Sequence, residues 1–251
     1  TILKQRNNYL KQLQQKKATD TLYLEVLSEQ LAQFAGAIIV KRLEFLAELE
    51  RYAKEIHSQI TQDKEQLAFS YESSLKEPSE ATENEITEAL KKGFADLQQK
   101  EIFQGTTLLG PHRDDVVFKI NGQNVQIYGS QGQQRTTALS VKLAEIELMK
   151  NKTGEYPILL LDDVLSELDG NRQTHLLKTI QGRVQTFLTT PGLNDITQQL
   201  IKEPKIFHID DGQISENSEM AENHIDWVSE DKNKVVTFYP KNEKSKKGQS
   251  T

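Results

Sequence analysis

The sequence predicts an α/β fold, parallel strands flanked by helices, with an α-helical subdomain ahead of it. Three observations carry this. Residues 1 to about 64 keep helical periodicity without a proline, and Gly36 is their only glycine. Two short apolar runs, "ILLL" at 158–161 and "VQTFLTT" at 184–190, read as strands buried on both faces, as parallel-sheet strands are. Helix-periodic segments before and after the first run complete the alternation.

Composition bounds the rest. The 251 residues are 36% hydrophobic and 27% charged, enough to bury a core in one large domain or two small ones. There is no cysteine, which excludes disulfides and thiolate metal sites. No apolar run reaches the length of a membrane span and no signal-peptide pattern opens the chain, so a cytoplasmic location is the default expectation. The net charge of -6 argues against a uniformly basic DNA-coating protein but permits a local basic surface. The chain opens on Thr1 already in helical rhythm, which predicts a piece of a longer protein.

In order, Asp20 is placed to cap a helix whose apolar positions run from Leu24 through Ile60. "QLAFSYESSL" alternates as a strand, "KEPSEAT" is a loop, and a helix follows over about 84–99. "GTTLLGPHRDD" is turn-rich, and "DVVFKI" and "VQIY" read as strands around an Asn-Gly turn. His112, Arg113, Asp114 and Asp115 within it suit an internal turn and ion-pair role at least as well as a ligand. A helix is expected over about 134–150, another over about 171–179, a short one at "LNDITQQLI", and a last strand and turn at "KIFHIDDGQI". The expected domains are a helical arm over 1–105, an α/β part over 106–215 and a polar, disordered tail over 216–251.

Two motifs carry chemistry. In "YGSQGQQR", Ser130 and Gln133 have capping-box spacing, which places a helix N-terminus there. Its free N–H groups and positive partial charge suit a phosphate, Gly132 allows close approach and Arg135 adds a cation. In "ILLLDDVLSELDG", Asp162 and Asp163 stand at the C-terminal edge of a strand, where α/β sheets collect ligands. One such carboxylate can hold a hydrated magnesium ion while the other polarises water. An EF-hand reading fails, because the alternating oxygen ligands are missing.

The order "SQGQQR", helix, "ILLLDD", "SELD" resembles the signature motif, Walker B strand and D-loop of ATP-binding-cassette ATPases. With "LLGPHRDD", "YGSQGQQRT" and the arm-like "YLEVLSEQLAQFAGAIIVKRLEFLAELE", the chain resembles the RecF family, SMC-like proteins of bacterial recombinational repair. The resemblance spans about Leu3 to Gln213. It implies the C-terminal part of an ATPase head with an inserted helical arm. Asp162 then resembles the acid that orients magnesium, and Asp163 the catalytic carboxylate that positions the attacking water. Ser130, Gly132 and Gln133 resemble the signature residues on the γ-phosphate. Gln131, Arg135, Ser166 and Asp169 complete the implied cofactor-binding set, with Ser166–Asp169 as a D-loop at a dimer interface.

The implied cofactors are ATP and magnesium. The implied partners are single- and double-stranded DNA, held by its backbone, a second copy joined on ATP binding, and recombination mediators. The implied role is repair and the SOS response at stalled forks, with slow hydrolysis. Two departures stand. Thr190 precedes Pro191 where a switch histidine is common, and no lysine-bearing phosphate loop occurs in the sequence. Two other readings remain open: an ATPase-incompetent interaction module, and a metal-dependent nuclease built on Asp114, Asp115, Asp162 and Asp163.

Overall fold

The computed structural model describes residues 1–75, 81–190, 205–210, 213–216 and 234–238. The chain forms two compact units, 1–51 with 67–128, and 52–66 with 129–251. This division departs from the expected boundary at 105. The hairpin after that point pairs back onto the strand at 67–72 and so belongs with the helices.

In the first unit, α1 (Ile2–Gln14) precedes α2 (Leu22–Thr61), whose last turns belong to the second unit. Asp20 Oδ1 accepts from Leu22 N–H at 2.8 Å, the expected cap. Helix α3 (Glu83–Gln104) starts on a Thr82–Glu85 capping box and stops at Gly105 in the left-handed region. Its Ile86, Leu90 and Phe94 pack on Ala32, Ala35 and Ile39 of α2. Gly36 completes that small-residue face, and a Cβ there would strike Thr87 Oγ1.

Buried Arg6 ties this unit together. It donates to Glu101 at 2.6 Å, Thr107 at 2.8 Å and Ser28 at 3.0 Å, and lies over the Phe94 ring. Strands β1 (Leu67–Glu72) and β2 (Asp115–Ile120) pair antiparallel, with Phe69 edge-on to Phe118.

The expected second strand at "VQIY" is corrected. Past the turn, just the two residues of β3 (Gln123–Asn124) pair with β2, and α4 (Val125–Tyr128) is a single helical turn. Asn121 and Gly122 both take positive φ and make the tight turn. Asn124 Oδ1 then accepts from Gln126 N–H and Ile127 N–H, which starts a helix instead of a strand.

"PHRDD" serves this unit's own turns. Arg113 donates to the Thr107 carbonyl at 2.8 and 3.0 Å. Asp114 accepts from Tyr71 hydroxyl at 2.5 Å and from Ser74 N–H at 2.7 Å. Burial first, then this carboxylate, push the Tyr71 phenol up to about 12.

The second unit holds α5 (Gln131–Thr153), β4 (Leu159–Asp162), α6 (Gly170–Ile180), β5 (Thr186–Thr190), β6 (Lys205–Asp210), β7 (Gln213–Glu216) and β8 (Lys234–Phe238). Their sheet order is β4-β5-β8-β6-β7. The two strands expected to be parallel, β4 and β5, do pair in parallel, while the other pairings of this sheet among the described strands are antiparallel. The expected last strand is followed by two more. One of them, β8, lies inside the expected tail and pairs with β5 on one side and β6 on the other. The short helix expected at "LNDITQQLI" and the rest of the tail fall outside the described residues.

Nor is β4 buried on both faces. Leu160 is 73% exposed, and with Ile158, Met149, Leu139, Arg135 and Lys142 it lines a groove of about 500 Å³. Strand β4 is also the edge of the sheet, and the face that carries Leu160 has no covering layer among the described residues.

Candidate functional site

Ser130 is the N-cap of α5. Its Oγ accepts from Gln133 N–H at 3.2 Å, and Gln133 Oε1 accepts from Ser130 N–H at 3.0 Å. The capping box expected from the spacing is therefore formed, with Ser130 and Gln131 exposed and Gly132 and Gln133 half-buried. Gln131 and Gly132 open the helix, and Arg135 stands exposed on it. Gly132 is not required by the chain's own backbone. Its φ is not positive, and an added Cβ would meet Arg172 Nη2 only at 3.5 Å, an ordinary contact.

Asp162 ends β4, and Asp163 follows it in the left-handed region at φ 51°. That conformation is unfavourable for a residue with a Cβ and persists when its surroundings hold it. Thr189 at the end of β5 does so. Asp163 N–H donates to the Thr189 carbonyl at 3.1 Å and to its Oγ1 at 3.0 Å, and Thr189 Oγ1 donates to Asp162 Oδ1 at 2.5 Å. The hydroxyl beside the acids thus belongs to Thr189, while Thr190 is buried on the other face of the strand. Both carboxylates are exposed.

A 3-10 turn, Val164–Glu167, contains Ser166 and leads to Asp169, the N-cap of α6. Asp169 Oδ1 accepts from Arg172 N–H at 3.0 Å and its other oxygen pairs with the Arg172 guanidinium. Arg172 Nε in turn donates to Thr136 Oγ1 at 2.5 Å, and Thr136 donates to the Gly132 carbonyl at 2.8 Å. Arg172 therefore joins the start of α6 to the start of α5, while the acid pair is held by Thr189.

Sequence reasoning missed Arg172, Thr189, His57 and Glu65. Gln133 Nε2 donates to Glu65 Oε1 at 3.1 Å, and His57 lies 3.1 Å from the other oxygen of Glu65. No local pattern marks these residues, since their partners are remote in sequence. Among the described residues no three His, Cys, Asp or Glu side chains gather to hold a metal. Among them no helix is long and apolar enough to cross a membrane.

The chain is 68% identical over 217 residues to the DNA replication and repair protein RecF of Ligilactobacillus salivarius, covering 86% of this chain and 57% of that protein. The chain is a RecF homologue. RecF of Pediococcus pentosaceus is 55% identical over 219 residues, covering 87% of this chain and 59% of the relative. RecF of Bacillus subtilis is 52% identical over 213 residues, with 85% and 58% covered.

A solved structure of the recombination mediator protein RecF with ATP, from the RecFOR pathway, superposes with a TM-score of 0.75 at 35% identity. It covers 86% of this chain and 56% of that one. No protein-family model matches. The chain thus spans a little over half the length of the RecF relatives it matches.

Proposed function

We propose that this chain supplies the signature loop, the magnesium-orienting acid and the D-loop of a RecF-type ATPase head that binds DNA during recombinational repair. The observation that carries the reading is the start of α5. A reciprocal capping box fixes Ser130 and Gln133, and Gly132 leaves the backbone bare where the fold does not demand glycine. Exposed N–H groups at a helix start favour a phosphate there.

In this reading Ser130, Gly132 and Gln133 take the γ-phosphate of an ATP held by a second copy, with Gln131 and Arg135 beside it. Ser166 and Asp169 lie at the dimer interface, where Asp169 also caps α6. ATP then closes a dimer on DNA, and slow hydrolysis opens it. DNA is held by backbone phosphates with little reading of bases. Recombination mediators are the expected further partners.

The acids fit magnesium. Asp162 is exposed at a strand end with one oxygen steadied by Thr189, as a carboxylate holding a hydrated ion requires. When bound, the ion neutralises phosphate charge. Asp163 is turned out of the strand line by its left-handed backbone, and it orients water in this reading. The phosphate-gripping lysine loop of the family would come from the portion of the relatives that this chain does not span.

The test is ATP-driven dimerisation of a protein of the relatives' full length carrying these residues. Ser130→Arg places a bulky cation on the loop and is expected to abolish dimerisation; unchanged dimerisation overturns the trans-capping role. The absence of a Gly-x4-Gly-Lys motif from the sequence favours a second reading, in which these 251 residues alone are an interaction module without ATP affinity. Micromolar ATP binding by the chain alone would refute that reading.

A further inference from the structure

His57, near the end of α2, is fully buried. Its Nδ1 lies 3.1 Å from Ser140 Oγ, and its Nε2 lies 3.1 Å from Glu65 Oε2. Burial lowers its pKa against the pull of Glu65, and the Arg172 charge adds to the lowering. The ring is therefore neutral at neutral pH, with one nitrogen donating and the other accepting.

A carboxylate only accepts, so the proton sits on Nε2. Nδ1 then accepts from the Ser140 hydroxyl. That hydroxyl also lies 2.8 Å from the Thr136 carbonyl. Thr136 O is four residues back in α5 and takes the helical N–H of Ser140, so the hydroxyl proton can turn to His57.

The remaining bonds close a circuit. Glu65 Oε1 accepts from Gln133 Nε2 at 3.1 Å, and Gln133 Oε1 accepts from Ser130 N–H at 3.0 Å. Both ends of the Gln133 amide are thus tied. Gln133 and Ser140 stand two turns apart on one face of α5, so the residues ending α2 and just after it grip that face at two points. The Glu65 side chain is only 22% exposed, which shields its bonds from water.

We propose that Glu65 is the positioning residue of Gln133, and that His57 holds Glu65 in that role. The proposal rests on the reading that the Ser130–Gln133 loop caps a nucleotide. It makes the loop's geometry ready before any ligand arrives, and it places the control of that geometry at the end of the long helix.

The test is nitrogen NMR on the 15N-labelled 251-residue chain. The parent is expected to show His57 as the Nε2–H tautomer. Glu65→Ala removes the acceptor of Gln133 and should shift its side-chain amide pair. Glu65→Gln offers one acceptor and one donor, so Gln133 keeps its bond only if the new amide donates to Nε2. His57 must then switch to the Nδ1–H tautomer, with Ser140 turning its proton to the Thr136 carbonyl. A structural filler would not produce that switch.

An unmoved Gln133 amide in Glu65→Ala, or an unchanged His57 tautomer in Glu65→Gln, overturns the proposal. In a protein of the relatives' full length carrying these residues, Glu65→Ala should weaken ATP-driven dimerisation roughly ten- to a hundredfold, the range one charge-assisted hydrogen bond carries. Glu65→Gln should spare it. If Glu65→Ala dimerises like the parent while Ser130→Arg does not, the positioning role fails and the ATP reading stands. If neither substitution changes dimerisation, the ATP reading fails, and the tautomer measurement still decides the link from Glu65 to Gln133.

Discussion

Replacing Glu101 by glutamine should loosen the first unit sharply. Glu101 is fully buried, with Oε2 on Arg6 Nη2 at 2.6 Å and Oε1 on Leu108 N–H at 2.7 Å. Glutamine keeps the shape but offers one acceptor. Whichever way its amide turns, an NH2 group faces the Arg6 guanidinium or the Leu108 N–H. Arg6 then remains charged and buried with no carboxylate. Removing one partner of a buried ion pair costs about 3–5 kcal/mol.

The loss should be local, because Arg6 ties α1 to α3 and to Thr107. Hydrogen exchange reads it directly: α1 and α3 amides protected by opening of this unit should exchange about a hundred to several thousand times faster. Replacing the pair together, Arg6→Met with Glu101→Leu, should recover much of the loss, since no charge is left behind. A Glu101→Gln protein whose α1 and α3 amides exchange less than about fivefold faster would refute the reasoning, as that is about 1 kcal/mol.

Ser130→Ala deletes the cap of α5 and should cost about 1 kcal/mol, seen as faster amide exchange confined to the first turn of the helix, whereas Ser130→Asp should retain protection. Stability should also fall on mild acidification. Burial leads the lowering of His57, His112 and His175 below 6.5, so the unfolded chain takes up protons before the folded one. Their contribution is full above 6.5 and is lost as the pH falls from there through the lowered folded values. Urea midpoints measured between pH 7.5 and 5.5 should decline, and a flat profile would contradict this burial.

The loop was legible because its signal is local. Ser130 and Gln133 lie three residues apart, and a helix start fixes what residues at that spacing do. The place of the acid pair was legible because the apolar run stops on it, and Asp162 does end the strand. The sheet was misread where partners decide structure. The apolar run of β4 fits a buried strand, yet its burial depends on a layer over each face, which sequence periodicity does not specify. "VQIY" alternates like a strand, but Asn124 offers its backbone a helical cap.

By itself the sequence determined the long helices, where α5 is capped, and where the carboxylates stand, because each follows from residues within a few positions. Only the tertiary structure decided what holds those groups. Gln133 meets Glu65 across 68 positions, and His57 meets Ser140 across 83. Arg172 meets Thr136 across 36, and Thr189 meets Asp162 across 27. A hydrogen bond acts only within about 3 Å, so which distant residues share one is set by how the chain packs, not by their spacing along it.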